Sequence, residues 1–513
     1  MIVYGRVDLL RSLDWFVYSI LKKLFASMSS ESITGSALET SAVNPTSELK
    51  VGISAFGSYM LGVGTLIGSM AWLIHGTMIE RAGALPSIAA WILGAVTMLP
   101  LALVIAELAS IYPFAGGPYV YKVEAFKLIM PYKDASLFGF LSGWLYWIAM
   151  MTGLAFMTNG LSDLLSQWFL KGEESSWLCF LISFSLLVLA TFINLARVST
   201  SSLVVNLLTT FKFFMVFFFL FLVLFAQAPS AANLFHNTKA YDPFSFLQEM
   251  NKVLLLCAVA YSGLEVVSCT ASETTGASRN VPAAILKTLF TVAAFYIFLA
   301  FAVGVSMNFF GPEAALRPDQ ATCPAVLGVL CGPLWGSIMG AFVIVSIFSC
   351  SVGAVMSNAR VSYSMAKSGV FPRVFSDVNA STGVPVYSLW FQLLFVSLIA
   401  LVSRLAYMSG LTGNAYAFLG EVYGVLYSFL AAMYGVSLLI LRFKAPQLNR
   451  PFRIGKSGNA LAVFVSILVF LIFGYLCLFC AHWTHQLTGI MLLLAGIPVY
   501  RLCCRLNLRG NHG

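Results

Sequence analysis

Two segments of the chain, each interrupted by glycine, could bind a ligand through their backbone. Residues 62–69 contain three glycines and two hydroxyl side chains among apolar residues. Residues 260–265 combine a tyrosine, a serine and a glycine with the carboxylate of Glu265. Glycine weakens helices, and backbone groups freed inside a membrane must bind protein, water or ligand, because lipid offers no hydrogen-bond partner. Both segments are candidate ligand sites if they lie within membrane helices.

Close helix packing is the simpler interpretation of the first segment. Gly64 and Gly68 form a small-xxx-small pair, which alone more often marks a packing face than a binding site. The second segment favours a binding site over simple packing, because interruptions at matching positions of two repeats indicate a transporter's binding site. A helix fragment that begins after a break directs amide dipoles at a carboxylate, and one that ends before a break directs carbonyls at an ammonium group. The pair suits a zwitterionic amino acid.

Two ionisable side chains, Lys212 and Glu265, also fall within apolar segments. A charge at the centre of a bilayer costs about 2.5–3.5 kcal/mol, so each needs a function or a partner. Lys212 could snorkel to the membrane surface, although it lies well inside its segment. Glu265 could be a neutral carboxyl that packs between helices. The functional interpretation is that both residues couple transport to proton exchange.

The composition places these residues in a membrane. Hydrophobic residues make up 59% of the 513 residues and charged residues 10%, and the mean hydropathy is +0.89. Soluble domains are far less apolar. Repeated apolar stretches predict an all-α membrane protein of about 12 transmembrane helices, each long enough to cross the hydrocarbon core. The predicted spans are 51–74, 85–110, 136–161, 177–195, 203–227, 251–271, 283–308, 334–357, 386–408, 416–441, 459–480 and 484–502.

The two interrupted spans are the first and the sixth, which begin two successive sets of five. This order predicts a 5+5 inverted repeat with unwound first and sixth helices. Repeat one covers 51–227, repeat two covers 251–408, and the last two helices lie in 459–502, so that 51–502 is one transporter domain. We expect residues 1–50 to be a cytoplasmic arm without a signal peptide and residues 503–513 to be a cytoplasmic tail.

The basic residues predict the orientation in the membrane, because Lys and Arg beside membrane helices are retained in the cytoplasm. If the first helix runs outward, both termini are cytoplasmic, and the protein lies in the cell or inner membrane. This topology accounts for the net charge of +9, so a nucleic-acid partner is not expected. The inside loops then carry Lys122, Lys127, Lys133, Arg197, Arg279, Lys287, Arg360, Lys367, Arg373, Arg442, Lys444, Arg450, Arg453 and Lys456.

The sequence does not indicate an enzyme. Nucleotide-type phosphate loops and clustered metal ligands are missing, so no cofactor and no metal are expected, and an ATP-driven pump is disfavoured. Cys323 and Cys331 share a predicted outer loop, which leaves a disulfide open. The alternative to a transporter is an amino-acid sensor or a channel on the same bundle. A channel needs a continuous polar lining, and this sequence lacks such a lining outside the two breaks.

Several further segments resemble the amino acid–polyamine–organocation transporters over roughly residues 50–460. Residues 64–69 (GTLIGS) are similar to the glycine-rich motif of their first helix, although the usual third glycine is Met70 here. The order of the segments along the chain is also that of the family. The other matching segments are 107–113 (ELASIYP), 116–121 (GGPYVY), 272–273 (SE) with 279–282 (RNVP), 360–372 and 450–453 (RPFR).

The resemblance implies a set of substrate-binding residues. The backbone of the first break would hold the substrate's carboxylate, and the backbone of the sixth span its α-amino group. An aromatic residue of the third span would line the pathway, unless it is an ordinary core or interfacial aromatic. In that order, these residues are Gly64, Ile67, Gly68 and Ser69; Val259, Ala260 and Ser262; and Tyr146.

The resemblance also implies the mode of transport. In sodium-independent relatives a lysine of the fifth helix takes the place of a sodium ion, and Lys212 matches it. Arginine/agmatine antiporters have Trp and Asn where this chain has Val259 and Leu154, so a guanidinium is a poor substrate here. We therefore expect a sodium-independent secondary active permease or antiporter that works by alternating access. Its substrate is a neutral or acidic amino acid, and its further partners are protons or a counter-transported amino acid.

Overall fold

The structure is a computed structural model that describes residues 49–169, 175–226, 229–239, 242–310, 314, 316–317, 322–410, 415–455, 458–480 and 483–509. Regular structure in these residues is helical apart from one isolated bridge between Ile53 and Thr274. The helices are α1 (Ala55–Leu66), α2 (Met70–Leu73), α3 (His75–Ala82), α4 (Ala84–Ile111), α5 (Gly117–Phe126), α6 (Tyr132–Trp168), α7 (Ser175–Leu195), α8 (Val198–Phe225), α9 (Ala232–His236), α10 (Pro243–Ala260), α11 (Val266–Cys269), α12 (Ala277–Ser306), α13 (Cys323–Leu330), α14 (Pro333–Lys367), α15 (Val386–Met408), α16 (Ala415–Lys444), α17 (Ala460–Tyr475) and α18 (Trp483–Arg509).

Ten of the described helices are long and apolar enough to cross a membrane, which confirms the all-α membrane class. The layout of about 12 transmembrane helices and its inverted repeat stay predictions. The first and sixth predicted spans consist of shorter helices, α1 to α3 and α10 to α11. Several helices extend beyond their predicted spans, because hydropathy marks only the part that lies in lipid. The spanning helices are α4, α6, α7, α8, α12, α14, α15, α16, α17 and α18.

The helices that position the two breaks pack at the centre of the bundle. Helix α1 contacts α8, α12 and α14, while α12 also packs along α4. The most apolar stretches of α6 and α16 are each 83% buried within the protein, whereas that of α18 is only 17% buried. The last helix therefore lies at the periphery, and α6 and α16 belong to the core.

The segments just before α1 and just after α11 are joined by backbone hydrogen bonds. The amides of Gly52 and Ile53 both donate to the Glu273 carbonyl at 2.9 Å, and the Thr275 amide donates to the Ile53 carbonyl at 2.9 Å. We call this side of the molecule the N-terminal end of the bundle. Helix α5 starts here too, because the Gly116 amide donates to the Cys269 carbonyl at 3.0 Å.

Two buried ion-pair networks lie at the N-terminal end of the bundle and join its segments. The Arg360 guanidinium binds both carboxylate oxygens of Glu273, at 2.7 and 2.9 Å, so α14 is fixed to the segment after α11. Glu107 of α4 pairs with Arg442 at 2.5 Å and with Arg450 at 3.3 Å. Removing one partner of a buried pair leaves an uncompensated charge, so separating these segments would be costly.

Two further expectations from the sequence concern the chain termini and a disulfide. Nearly all of the N-terminal arm, residues 1–48, and the end of the tail, residues 510–513, are outside the described residues. Cys323 and Cys331 are free thiols, so the disulfide left open by their spacing is not formed.

Candidate functional site

The first break separates α1 from α2 at residues 67–69. The helix ends at Leu66, Ile67 leaves the helical conformation with ψ 75°, and Ser69 caps α2. Gly64, one turn earlier, lies very close to α8. A Cβ atom added there would be 2.3 Å from the Thr209 Oγ1 atom, so only glycine allows this approach.

Lys212 of α8 binds the carbonyls that the first break exposes. Its Nζ atom donates to the Gly64 carbonyl at 2.5 Å and to the Ile67 carbonyl at 2.7 Å. The hydroxyl of Ser346 on α14 donates to the same Ile67 carbonyl at 3.0 Å. Lys212 is fully buried, so it does not snorkel to a surface in this structure. Helices α8 and α14 thus hold the break from two sides.

The second break separates α10 from α11 at residues 261–265. Gly263 has a φ angle of 105°, which favours glycine because other residues are strained there. The Ser262 hydroxyl lies 2.6 Å from the Val259 carbonyl and 2.8 Å from the Tyr423 hydroxyl of α16. These contacts replace part of the hydrogen bonding that the helix loses at its end.

Tyr296 of α12 connects the two breaks. Its hydroxyl lies 2.7 Å from the Leu66 carbonyl and 3.0 Å from the Ala260 carbonyl. Tyr296 is not among the residues predicted from the sequence, because one tyrosine in an apolar helix resembles any other core aromatic. A signal was nevertheless present, since a buried tyrosine hydroxyl at mid-span needs a polar partner.

A cavity of about 50 Å³ lies between the two breaks. Five of the eight predicted substrate-binding residues line it: Gly68, Ser69, Val259, Ala260 and Ser262. None of the lining residues is Asp, Glu, Lys, Arg or His. The remaining lining residues are Thr65, Leu66, Met70, Met150, Gly153, Leu154, Phe156, Met157, Gly263, Val266, Cys350, Ala354 and Tyr423.

Three predicted residues lie outside the cavity lining. Gly64 and Ile67 are one layer behind it, where their carbonyls bind Lys212. Tyr146 lies one turn of α6 before the lining residue Met150, on the side of the N-terminal end. Its hydroxyl is 3.4 Å from the Cys269 sulfur. In this structure Tyr146 therefore contacts α11 rather than the cavity.

Glu265 also lies behind the cavity, at the start of α11. Its side chain is fully buried, and one carboxylate oxygen accepts a hydrogen bond from the Tyr427 hydroxyl at 3.3 Å. The other oxygen has no hydrogen-bond partner among the described residues. The predicted coupling residues Lys212 and Glu265 thus contact different breaks, and the structure does not bring them together.

Comparison with known proteins places the chain among transporters. The profile of the amino acid permease family matches residues 52–493. The glutamate/serine transporter AimA of Bacillus subtilis (strain 168) is 24% identical over 465 residues, which cover 87% of this chain and 80% of the relative. The serine/threonine exchanger SteT of the same organism is 26% identical over 69% of this chain and 78% of its own. The aspartate-proton symporter of that organism is 24% identical over 78% and 74%.

The family match covers most of the chain and agrees with the broken helices and the apolar bundle. Its relatives are permeases and exchangers rather than enzymes, so the sequence-based prediction of a non-enzymatic transporter is confirmed. The resemblance noted in residues 64–69 and in the later motifs is confirmed as well. The chain belongs to the amino acid permease family of the amino acid–polyamine–organocation superfamily.

Proposed function

We propose that this permease is a sodium-independent secondary active transporter of small neutral amino acids that works by alternating access. The observation that carries the proposal is the cavity of about 50 Å³ between two broken helices, with an uncharged lining. By volume it holds roughly three to five water molecules. A small amino acid fits such a space with little expansion.

The backbone around the cavity suits the two charged ends of an amino acid. Gly68 and Ser69 form one wall, where we place the carboxylate. Val259 and Ala260 end α10 on another wall, and a helix end with exposed carbonyls attracts an ammonium group. The Val259 carbonyl already accepts from both the amide and the hydroxyl of Ser262. The Ala260 carbonyl accepts from the Tyr296 hydroxyl, and its second lone pair leaves room for the ammonium group.

The side chain of the substrate would lie against α6. Met150, Leu154 and Met157 line the cavity at helical spacing and present an apolar surface. An acidic or basic substrate would bury a charge there without a partner, at a cost of several kcal/mol. The relatives differ in their named substrates, from serine and threonine to aspartate, and it is the uncharged lining that supports our choice of a neutral side chain.

Lys212 supports independence from sodium. A sodium site is built from oxygen ligands, and a fixed ammonium bound to the Gly64 and Ile67 carbonyls would repel a cation from them. We place the N-terminal end of the bundle in the cytoplasm, because the loops near it carry most of the basic residues. The membrane would then be the cell or inner membrane.

We expect neutral amino acids to compete best for transport. Purified protein in liposomes, loaded with unlabelled substrate, should take up labelled alanine or serine by counterflow. In a competition panel, small neutral amino acids should inhibit this uptake at least about tenfold more strongly than arginine or aspartate, since 1.4 kcal/mol is a factor of ten. Stronger inhibition by arginine or aspartate than by every neutral amino acid would overturn the proposed selectivity.

A further inference from the structure

Lys122 of α5 is a fully buried lysine that the substrate site does not use. Its Nζ atom has no hydrogen-bond partner among the described residues and lies 4.0 Å from the centre of the Tyr434 ring on α16. A buried ammonium without hydrogen bonds is costly, and a cation–π contact offsets only part of that cost. In the sequence, Lys122 is one of several basic residues of the predicted inside loops.

The charged group that acts most strongly on Lys122 is Glu265. Glu265 in turn has one carboxylate oxygen without a partner. The ammonium and the carboxylate are thus buried in the same region but are not hydrogen-bonded to each other. Lys122 lies on a loop helix outside the spanning segments, and burial lowers its pKa to about 7 although Glu265 opposes the shift. This lysine can gain or lose a proton near neutral pH.

Other ionisable groups around the pair are already bound or are weak acids. Arg360 of α14 is paired with Glu273, and Glu107 of α4 with Arg442 and Arg450. The Tyr59 hydroxyl of α1 is hydrogen-bonded to Thr291, and the Tyr296 hydroxyl of α12 is hydrogen-bonded to a carbonyl of each break. Arg279 and Lys287 of α12 are exposed. The remaining groups that face the pair are Tyr423, Tyr427 and Tyr434 of α16, Tyr146 of α6, Tyr121 of α5 and Cys269 of α11.

A row of tyrosines connects the pair with the substrate cavity. Tyr427 donates to Glu265, and its ring stacks with that of Tyr423 at 6.0 Å between centroids. Tyr423 lines the cavity and contacts Ser262. Glu265 is therefore connected to the substrate site on one side and faces Lys122, near the N-terminal end, on the other.

We propose that Lys122 and Glu265 form a proton-transfer pair that couples proton movement to the transport cycle, with Lys122 as the exchange point towards the N-terminal end. In the step, the Lys122 ammonium gives one proton to the Glu265 carboxylate, which leaves a neutral amine and a neutral acid. The amine then takes a proton from water at the N-terminal end, and the Glu265 acid gives its own to water that enters from the cavity side, which restores the ammonium and the carboxylate. The reverse order moves a proton the other way. Since the two groups are not hydrogen-bonded to each other in this structure, transfer requires their side chains to come within hydrogen-bond distance.

The inference rests on the proposed function. Its test uses full-length protein in liposomes. Counterflow at equal pH measures substrate exchange, whereas accumulation under an inward proton gradient measures coupling. One coupled proton should raise accumulation about tenfold for a gradient of one pH unit. Lys122→Met and Lys122→Arg should lose this increase, the arginine variant because it retains its charge but cannot release its proton. Counterflow by Lys122→Arg should stay within about twofold of wild type, since its charge still faces Glu265.

Lys127→Met is the matched control. Lys127 follows α5 directly and its charge is already paired with Glu124 at 2.7 Å, so its substitution should leave both assays unchanged. Folding is checked with Lys122→Met/Glu265→Gln, which removes both buried charges and should melt at a higher temperature than Lys122→Met alone. The proposal would be overturned if the proton gradient still raised accumulation in either Lys122 variant. It would also be overturned if the gradient did not raise accumulation in wild-type protein that shows counterflow. An equal loss of counterflow and accumulation in Lys122→Arg would also overturn it. Wild type without counterflow would instead contradict the proposed function.

Discussion

Lys212→Ala should abolish amino acid uptake while the protein still reaches the membrane. The substitution removes both hydrogen bonds to the Gly64 and Ile67 carbonyls, and a hydrogen bond to a charged group contributes about 1.5–3 kcal/mol. If these bonds form in only one state of the transport cycle, their loss should slow uptake at least about 100-fold. Initial rates of labelled uptake, normalised to the amount of protein in the liposomes, measure the effect.

A second variant of Lys212 separates the charge of the side chain from its proton, and a variant of Lys252 serves as the control. Lys212→Arg retains a positive charge but cannot release a proton, so partial activity would indicate that the charge alone holds the first break. Lys252→Ala is the control, because Lys252 is half exposed and pairs only with Glu249 at the surface. Its uptake should equal that of wild type. A fully active Lys212→Ala variant would show that the bonds to the first break do not matter for transport.

Gly68→Leu should abolish substrate binding without unfolding the protein. A Cβ atom at Gly68 would lie 3.3 Å from the Cys350 sulfur and 3.7 Å from the end of Met157, so the first atom fits with a small shift. The rest of a leucine side chain would enter the cavity of about 50 Å³ and fill the space where we place the carboxylate. Calorimetric titration with the best neutral substrate should then detect no binding.

Gly474→Leu is the matched control for this substitution. Gly474 lies on α17, and a Cβ atom added there would meet nothing within 4 Å. This variant should bind substrate like wild type, which separates the effect of the cavity from that of leucine in a membrane helix. Gly68→Ala should weaken binding less than Gly68→Leu. If Gly68→Leu bound substrate with unchanged affinity, the substrate would have to lie elsewhere.

The breaks and Lys212 could be found from the sequence because their signals are local. Three glycines with two hydroxyl side chains mark residues 62–69, and a Ser-Gly pair followed by a carboxylate marks residues 260–265, because each set stands out within an apolar span. Lys212 stands out for the same reason, since a lysine in a long apolar segment is rare. The structure adds its partners, the Gly64 and Ile67 carbonyls, which are about 150 residues away in the chain.

Lys122 and Tyr146 show what the sequence could not predict. Lys122 lies between the second and third predicted spans and resembles any loop lysine, and only the fold of α5 against α16 buries it. Tyr146 lies on the same face of α6 as the lining residues, but the cavity begins one turn later. Which turn of a helix borders a cavity depends on how far neighbouring helices extend, and periodicity does not contain that information.

Uptake in choline buffer compared with sodium buffer, at one fixed pH, tests the account most directly. Liposomes with wild-type protein should accumulate a labelled small neutral amino acid at equal initial rates in both buffers, because Lys212 supplies the positive charge at the first break. Uptake that required sodium would contradict the account, since sodium and the Lys212 ammonium cannot occupy the same carbonyls.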